Sequence, residues 1–252
     1  MSAPFSCFWE LGASLCWQPI DLIAMLWAYF DESGEYQDGT LKRLTLGGCI
    51  ASFENWQAFD QRWRAALDDE GVNVFHMADF EAREGEFPRS DWEESRRRKL
   101  LGNLLGIINQ HVSIFVGFAN YPVKFPEKRS MRAGYDRLIA RSMINTANRP
   151  WGLDEEISIV FARHPEFSSV RVLEYFEIIN QDKSLESCAV AEPGKVLPLQ
   201  AADLFTYELM KFSKSDRTNN DERYPFRRLR EGAEHFSLHI QLNSRHPLWD
   251  ED

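Results

Sequence analysis

The chain has 252 residues, 44% of them apolar and 27% charged, and a formal net charge of −10. Such a chain can bury a sizeable core, and its acid excess argues against a protein that coats nucleic acid by bulk attraction, so a phosphate backbone has to be met by local basic patches or through cations. No stretch is long and apolar enough to span a bilayer, and Cys7, Cys16, Cys49 and Cys188 form no C-x-x-C pair, which excludes a membrane span, a zinc knuckle and a disulfide framework and points to the cytoplasm.

Residues 1–24 lack the basic start and clean apolar core of a secretory signal and read as an N-terminal appendage to a single domain over 25–252. Met25, directly before the first strand, is a candidate second start of translation. Leu26 to Phe30 is an uninterrupted apolar and aromatic run, which predicts a strand buried on both faces of a mixed or parallel sheet. Asp31 and Glu32 follow at its exit. Gly34 is expected to turn the backbone there and to hold both acids at the carboxyl edge of the sheet, where open α/β folds place their ligands. Acids in that position are costly without a positive partner; the alternative reading is an acidic turn capping a core strand.

A polar loop from Glu35 to Thr40 leads to a second strand, Leu44 to Ala51, which pairs with the first as a hairpin. Ser52 is a suitable N-cap for a helix with the stripe Trp56, Phe59, Trp63 and Leu67. Val72 to Phe75 reads as a short strand delivering His76 and Asp79. Ser90-Asp91-Trp92-Glu93 has capping-box spacing before a helix whose apolar face is Leu100, Leu101, Leu104, Leu105 and Ile108. Arg96, Arg97, Arg98 and Lys99 ride on that helix and read as a solvated surface, with phosphate binding as the alternative. A strand follows over His111 to Ala119, then a helix marked by Tyr135, Leu138, Ile139, Ser142 and Met143. Glu156 to Phe161 is a further strand ending in Ala162-Arg163-His164-Pro165-Glu166. A helix over Ser168 to Asn180 and a short strand near Cys188 to Ala191 complete this part.

Val196 to Glu208 predicts a tightly packed helix with Pro198 in its first turn. Asp203 is anomalous within it, because it shares a face with Leu199 and Thr206 and so points inward. Ser213 to Arg223 reads as a loop, followed by a basic segment with Arg227, Arg228 and Arg230. The alternation of strands and helices predicts an α/β domain with a mixed central sheet. Buried acids from the first strand and the last helix become useful if they share a divalent cation, Mg²⁺ or Mn²⁺, since both ions prefer oxygen ligands and neutralise repelling carboxylates. Two such ions about 4 Å apart activate water and stabilise the leaving oxygen in phosphodiester cleavage. Otherwise Asp203 satisfies a backbone amide or an arginine in the core.

Tyr29-Phe30-Asp31-Glu32-Ser33-Gly34, Gly47-Gly48 with Trp56 and Trp63, Phe75-His76-Met77-Ala78-Asp79-Phe80, and Pro198-Leu199-Gln200-Ala201-Ala202-Asp203-Leu204 resemble, in order and spacing, the family catalogued as domain of unknown function 3800. The resemblance covers about Leu26 to Leu229. It implies a ribonuclease H-like mixed central sheet flanked by helices, with Asp31 and Asp203 as metal ligands, Glu32 and His76 nearby and Gln200 in support. Members of that family carry an acid just after the strand that here ends at Phe161, where this chain has Ala162-Arg163. Glu166 or Glu192 could replace that acid, and Arg163 could fill the metal position with its own cation.

The expected function is a metal-dependent nuclease or related phosphodiester hydrolase, with Asp31, Glu32, Asp203, His76 and Glu166 as catalytic candidates and the two basic clusters as substrate contacts. The alternative is an inactive scaffold of the same fold that binds nucleic acid or a protein partner. Other motifs are weak. Ser33 lies in no G-x-S-x-G elbow, Gly47-Gly48 forms no phosphate-cradling loop, and His235 and His239, at helical metal spacing, lack the following Glu of zinc proteases and read as surface histidines.

Overall fold

The computed structural model describes residues 25–37, 40–120, 128–148, 155–164, 168–182, 184–214 and 222–241. The expected appendage over 1–24, most of the expected loop before Arg223, and Glu166 lie outside the described residues.

Strand β1 (Leu26–Gln37) pairs antiparallel with β2 (Thr40–Ser52), and β2 pairs antiparallel with β3 (Ile114–Asn120). On its other side β1 runs parallel to β4 (Ile157–Ala162), which runs parallel to β5 (Ser187–Ala191). A sixth strand, β6 (His235–Gln241), lies parallel to β3 at the far edge. The order is β5-β4-β1-β2-β3-β6, with β2 alone antiparallel to the rest. The two-sided apolar run therefore occupies an interior position, as its composition requires.

Both faces of the sheet are covered. On one lie α1 (Phe53–Asp68), α2 (Met77–Ala82), α3 (Glu94–His111), α6 (Pro198–Lys214) and α7 (Tyr224–Gly232), packed on Tyr29, Cys49 and Val160. On the other lie α4 (Lys128–Ala147) and α5 (Ser169–Ile179), packed on Ala28, Phe30 and Ile159. Alternation along β1 sends Tyr29 to the first face and Ala28 and Phe30 to the second. The stripe Trp56, Phe59, Trp63 and Leu67 is buried, and the Ser52 hydroxyl accepts the Asn55 N–H as the N-cap of α1.

Several expectations fail for identifiable reasons. Gly34 makes no turn, because β1 stays paired with β2 through Gln37. Val72 to Phe75 is not a strand: the Asn73 and Val74 amides donate to the Glu86 carboxylate and the Phe75 amide donates to Gln200 Oε1, which leaves none for a neighbouring strand. The capping box at Ser90 does not form, since the Asp91 and Trp92 amides both turn onto the Pro88 carbonyl and α3 begins only after Glu93. His111 ends α3 and does not begin β3. His235 and His239 sit on β6, where a four-residue spacing means one face of a strand, so the helical metal pair does not exist. The expected loop from Ser213 starts late, because α6 runs on to Lys214. No helix among the described residues is long and apolar enough to cross a membrane. Cys49 and Cys188 are free thiols.

Candidate active site

Close approach of α6 to the hairpin builds the site. A side chain at Gly47 would collide with the Thr206 hydroxyl and come within 2.8 Å of the Phe205 ring, so the bare glycine is what lets the helix lie against β2. Thr206 Oγ1 then donates to the Asp31 carbonyl at 3.0 Å, with the Ala202 carbonyl 2.7 Å away as its other partner. These contacts set Asp203, one turn earlier on α6, opposite Asp31. The two carboxylates are 7% and 8% exposed.

Asp203 Oδ2 accepts the Met77 N–H at 2.6 Å, and its Oδ1 lies 3.5 Å from His76 Nε2. The start of α2, whose own N-cap residue His76 makes no side-chain cap, is thereby held by an acid from another helix. His76 Nδ1 is 3.3 Å from Asp79. Asp31 Oδ1 accepts the Glu32 N–H at 2.9 Å, while Glu32, pointing to the other face of the strand, has Oε1 3.7 Å from His164 Nε2. A cleft of about 380 Å³ opens over these groups and is bordered by Arg163, Pro193 and Tyr207.

Burial dominates the electrostatics. It raises the Asp31 carboxyl well above the usual range, and the charges of Glu32 and Asp203 raise it further. Burial also lifts Glu32 to about 8. Asp203 is lifted to about 6 by the same cause, offset by His76 and the Met77 amide. The Tyr135 phenol is pushed up by its burial, then by the nearby Glu32 and Asp31. No lysine or arginine among the described residues pairs with any of the three acids.

A buried carboxylate pair, offset only by His76 and the Met77 amide on the Asp203 side, suits Mg²⁺ or Mn²⁺ in kind. The number of donors is short: among the described residues no three His, Cys, Asp or Glu side chains are gathered to hold one ion. Ala162 is buried on the face that Asp31 shares, one step beyond the Phe30–Phe161 pair, so an acid there would stand beside Asp31. Arg163 does not reach the acids. Its guanidinium pairs with Glu192 at 2.9 Å, which also occupies the second candidate for the missing acid.

Asp31, Glu32, Asp203 and His76 are thus brought together, and Gln200 braces them. Its Oε1 accepts Trp63 Nε1–H at 2.9 Å and the Phe75 amide at 3.0 Å, and its Nε2 donates to the Pro193 carbonyl. The two basic clusters do not line the cleft. Arg97 is buried, with its guanidinium 4.0 Å from the Phe80 ring centre and donating to the Phe80 carbonyl. Arg96 and Lys99 both pair with Glu70, and Arg98 pairs with Glu94. Arg230 pairs with Glu222, while Arg227 and Arg228 are exposed on α7. Sequence reasoning passed over His164 and Tyr207 as site residues. Tyr207 carried a signal, because it stands four residues after Asp203 on the same helix face.

Neither protein-family models nor curated protein sequences give a match to the chain. The resemblance to domain of unknown function 3800 therefore stands on the motifs alone. Among solved structures, the chain is similar to Bst-RNase HIII in complex with Mn²⁺, with 13% identity over 77% of this chain and 56% of that one and a TM-score of 0.41. It is also similar to ribonuclease H2 from Pyrococcus horikoshii OT3, with 13% identity over 82% and 84% and a TM-score of 0.39. The chain spans little more than half the length of the former. Identity at this level transfers no residue role. The fold is a mixed six-stranded sheet with helices on both faces.

Proposed function

We propose that the protein is a divalent-metal-dependent nuclease or related phosphodiester hydrolase acting on nucleic acid. The observation that carries this reading is the meeting of Asp31 and Asp203, two buried carboxylates from different elements with no lysine or arginine partner among the described residues and only His76 beside Asp203, at the floor of an open cleft. Structures keep such a pair only with a compensating proton or cation. Asp31 and Asp203 would hold Mg²⁺ or Mn²⁺, which when bound polarises a phosphoryl oxygen and lowers the pKa of water. His76, within reach of Asp203 and half exposed, is suited to move a proton at the cleft surface. Glu32 lies on the His164 side and is a candidate third ligand or proton carrier. Glu166 remains a candidate outside the described residues.

The test is calorimetric titration of Mn²⁺ and Mg²⁺ alongside cleavage of single- and double-stranded DNA and RNA. Asp31→Asn and Asp203→Asn should each remove metal binding and reduce cleavage about a hundredfold or more, since even groups behind a metal ligand are worth 10- to 100-fold. Circular dichroism should be unchanged. Cleavage that survives both substitutions would sink the assignment.

A second reading has its own observation. The Arg163–Glu192 ion pair stands at the cleft wall where an additional acid would be expected, which favours a scaffold that binds nucleic acid or a protein partner without cutting. Ala162→Asp with Arg163→Ser puts a carboxylate beside Asp31. A gain in Mn²⁺ affinity would support lost catalysis, and unchanged affinity would count against it.

A further inference from the structure

One face of α6 leads out of the acid floor. Asp203, Tyr207 and Lys211 follow one another at four-residue intervals, so they form a single row along the helix, stepping about 6 Å each time. Asp203 is buried at the bottom, Tyr207 borders the cleft, and the Lys211 ammonium lies 4.8 Å from the centre of the Tyr207 ring. Lys211 has no ion-pair partner among the described residues, in contrast to Arg96, Arg98, Lys99, Arg163 and Arg230, which all have one. An aromatic ring followed by a cation that makes no close ion pair, although its charge also acts on Glu208, and that rises from an acidic floor is the combination that binds a single nucleic-acid strand: rings carry bases and sugars, cations carry phosphates.

We propose that Tyr207 and Lys211 form the substrate track of this cleft, taking a single-stranded stretch of nucleic acid, with a base or sugar on Tyr207 and the adjoining phosphate on Lys211. This rests on the nuclease reading above and adds the strand's path and strandedness to it. The track explains how an acidic protein receives a polyanion: ring and cation stand one and two turns from Asp203, where the strand enters, and the bulk charge is not called upon.

The probe is a fluorescein-labelled oligothymidylate or oligouridylate of about twenty nucleotides, followed by anisotropy in Ca²⁺. Tyr207→Ala should weaken binding roughly 5- to 150-fold, the range for loss of one stacked base, while Tyr207→Phe should stay within about twofold. Lys211→Ala, a change at a partly exposed position that leaves the fold intact, should weaken binding and lower the slope of log affinity against log salt by about 0.7. A duplex of the same length should bind less tightly than the single strand. If the unaltered protein binds the oligonucleotides and all the variants bind equally, with an unchanged salt slope, the track is wrong and the nuclease reading stands. If the unaltered protein binds neither oligonucleotide, the track is overturned whatever the metal titration gives, and loss of Mn²⁺ binding as well would take the nuclease reading with it.

Discussion

Gly47 is bare because α6 occupies the space its side chain would fill. Replacement by alanine would put a methyl group 3.1 Å from the Thr206 backbone as well as against two side chains, so rotamer changes cannot relieve it. The helix has to move, at a cost of about 1–3 kcal/mol, or a fall in Tm of roughly 2–12 °C for a domain of this size. Gly102→Ala on α3 meets nothing within 4 Å and is the control; removing a glycine from a helix should stabilise by roughly 0.5–1 kcal/mol. Calorimetry of both variants checks the pair, and a Gly47→Ala protein with unaltered Tm would show that α6 does not rest there. Asp60 supplies a second residue-scale expectation. Its buried Oδ1 has no hydrogen-bond partner, and burial, offset in part by Arg64, raises its carboxyl to about 7. The folded protein therefore binds this proton more tightly than the unfolded chain, so the stabilisation is complete below about pH 4 and is lost as pH rises toward 7. Asp60→Asn should become progressively more stable than the unaltered protein between pH 4 and 7, by up to about 1.4 kcal/mol per pH unit, with no further divergence above. Thermal melts across that range read the difference. Asp31 and Asp203 were legible beforehand because each interrupts an apolar run, whereas Asp60, four residues after Trp56 and three before Trp63, shares the edge of the apolar stripe of α1 and was passed over among the polar residues around it.

Helix α2 is only six residues long and cannot hold itself against water. Three polar ties from elsewhere help keep it in place: the Asp203 carboxylate on the Met77 amide, the Arg97 guanidinium on the Phe80 carbonyl, and Arg223, which bridges Glu81 on α2 at 2.7 Å to Glu208 on α6 at 3.0 Å. Glu208 is fully buried, and burial lifts its carboxyl to about 7 in spite of Arg223. Arg223→Met would leave that acid without its partner, and a loss of about 1–3 kcal/mol is expected at pH 8. Adding Glu208→Gln should return part of it, and a double-mutant cycle by denaturant unfolding measures the coupling; strict additivity would mean that the bridge ties nothing. None of this could be read from the chain. The sequence MADFEA is too short to show a helical period, and the preceding Val72 to Phe75 has strand-like residues whose amides are claimed by the distant Glu86 and Gln200 side chains. The long elements were legible because period alone defines them: the two-faced β1, the aromatic stripe of α1 and the small-residue packing of α6. Strand β6 was missed although His235, Ser237 and His239 alternate with Phe236 and Leu238, because a four-residue histidine spacing is one helical turn and also two strand repeats.

At the scale of the molecule, a net charge of −10 repels a polyanion from a distance, and many described cations that might oppose this are spent on internal ion pairs such as Arg96 and Lys99 with Glu70, Arg171 with Asp136 and Arg223 with its two acids. Few phosphates can then be neutralised by side chains. Each such contact with a single strand contributes about −0.7 to the slope of log affinity against log salt, so contacts limited to Lys211 and one or two others predict a slope no steeper than about −2. On the proposed metal site, the remaining attraction would come through divalent ions at Asp31 and Asp203. Oligonucleotide affinity should therefore fall at least about tenfold when Ca²⁺, an oxygen-seeking ion, is replaced by EDTA, and Asp31→Asn should remove that difference while leaving the shallow salt slope as it was. Anisotropy titrations at several salt concentrations, with and without Ca²⁺, separate the two contributions. A slope steeper than about −4 that ignores EDTA would mean that a basic face, with exposed Arg227 and Arg228 on α7 as its nearest candidates, carries the strand, and that the acid cleft is not where it is held.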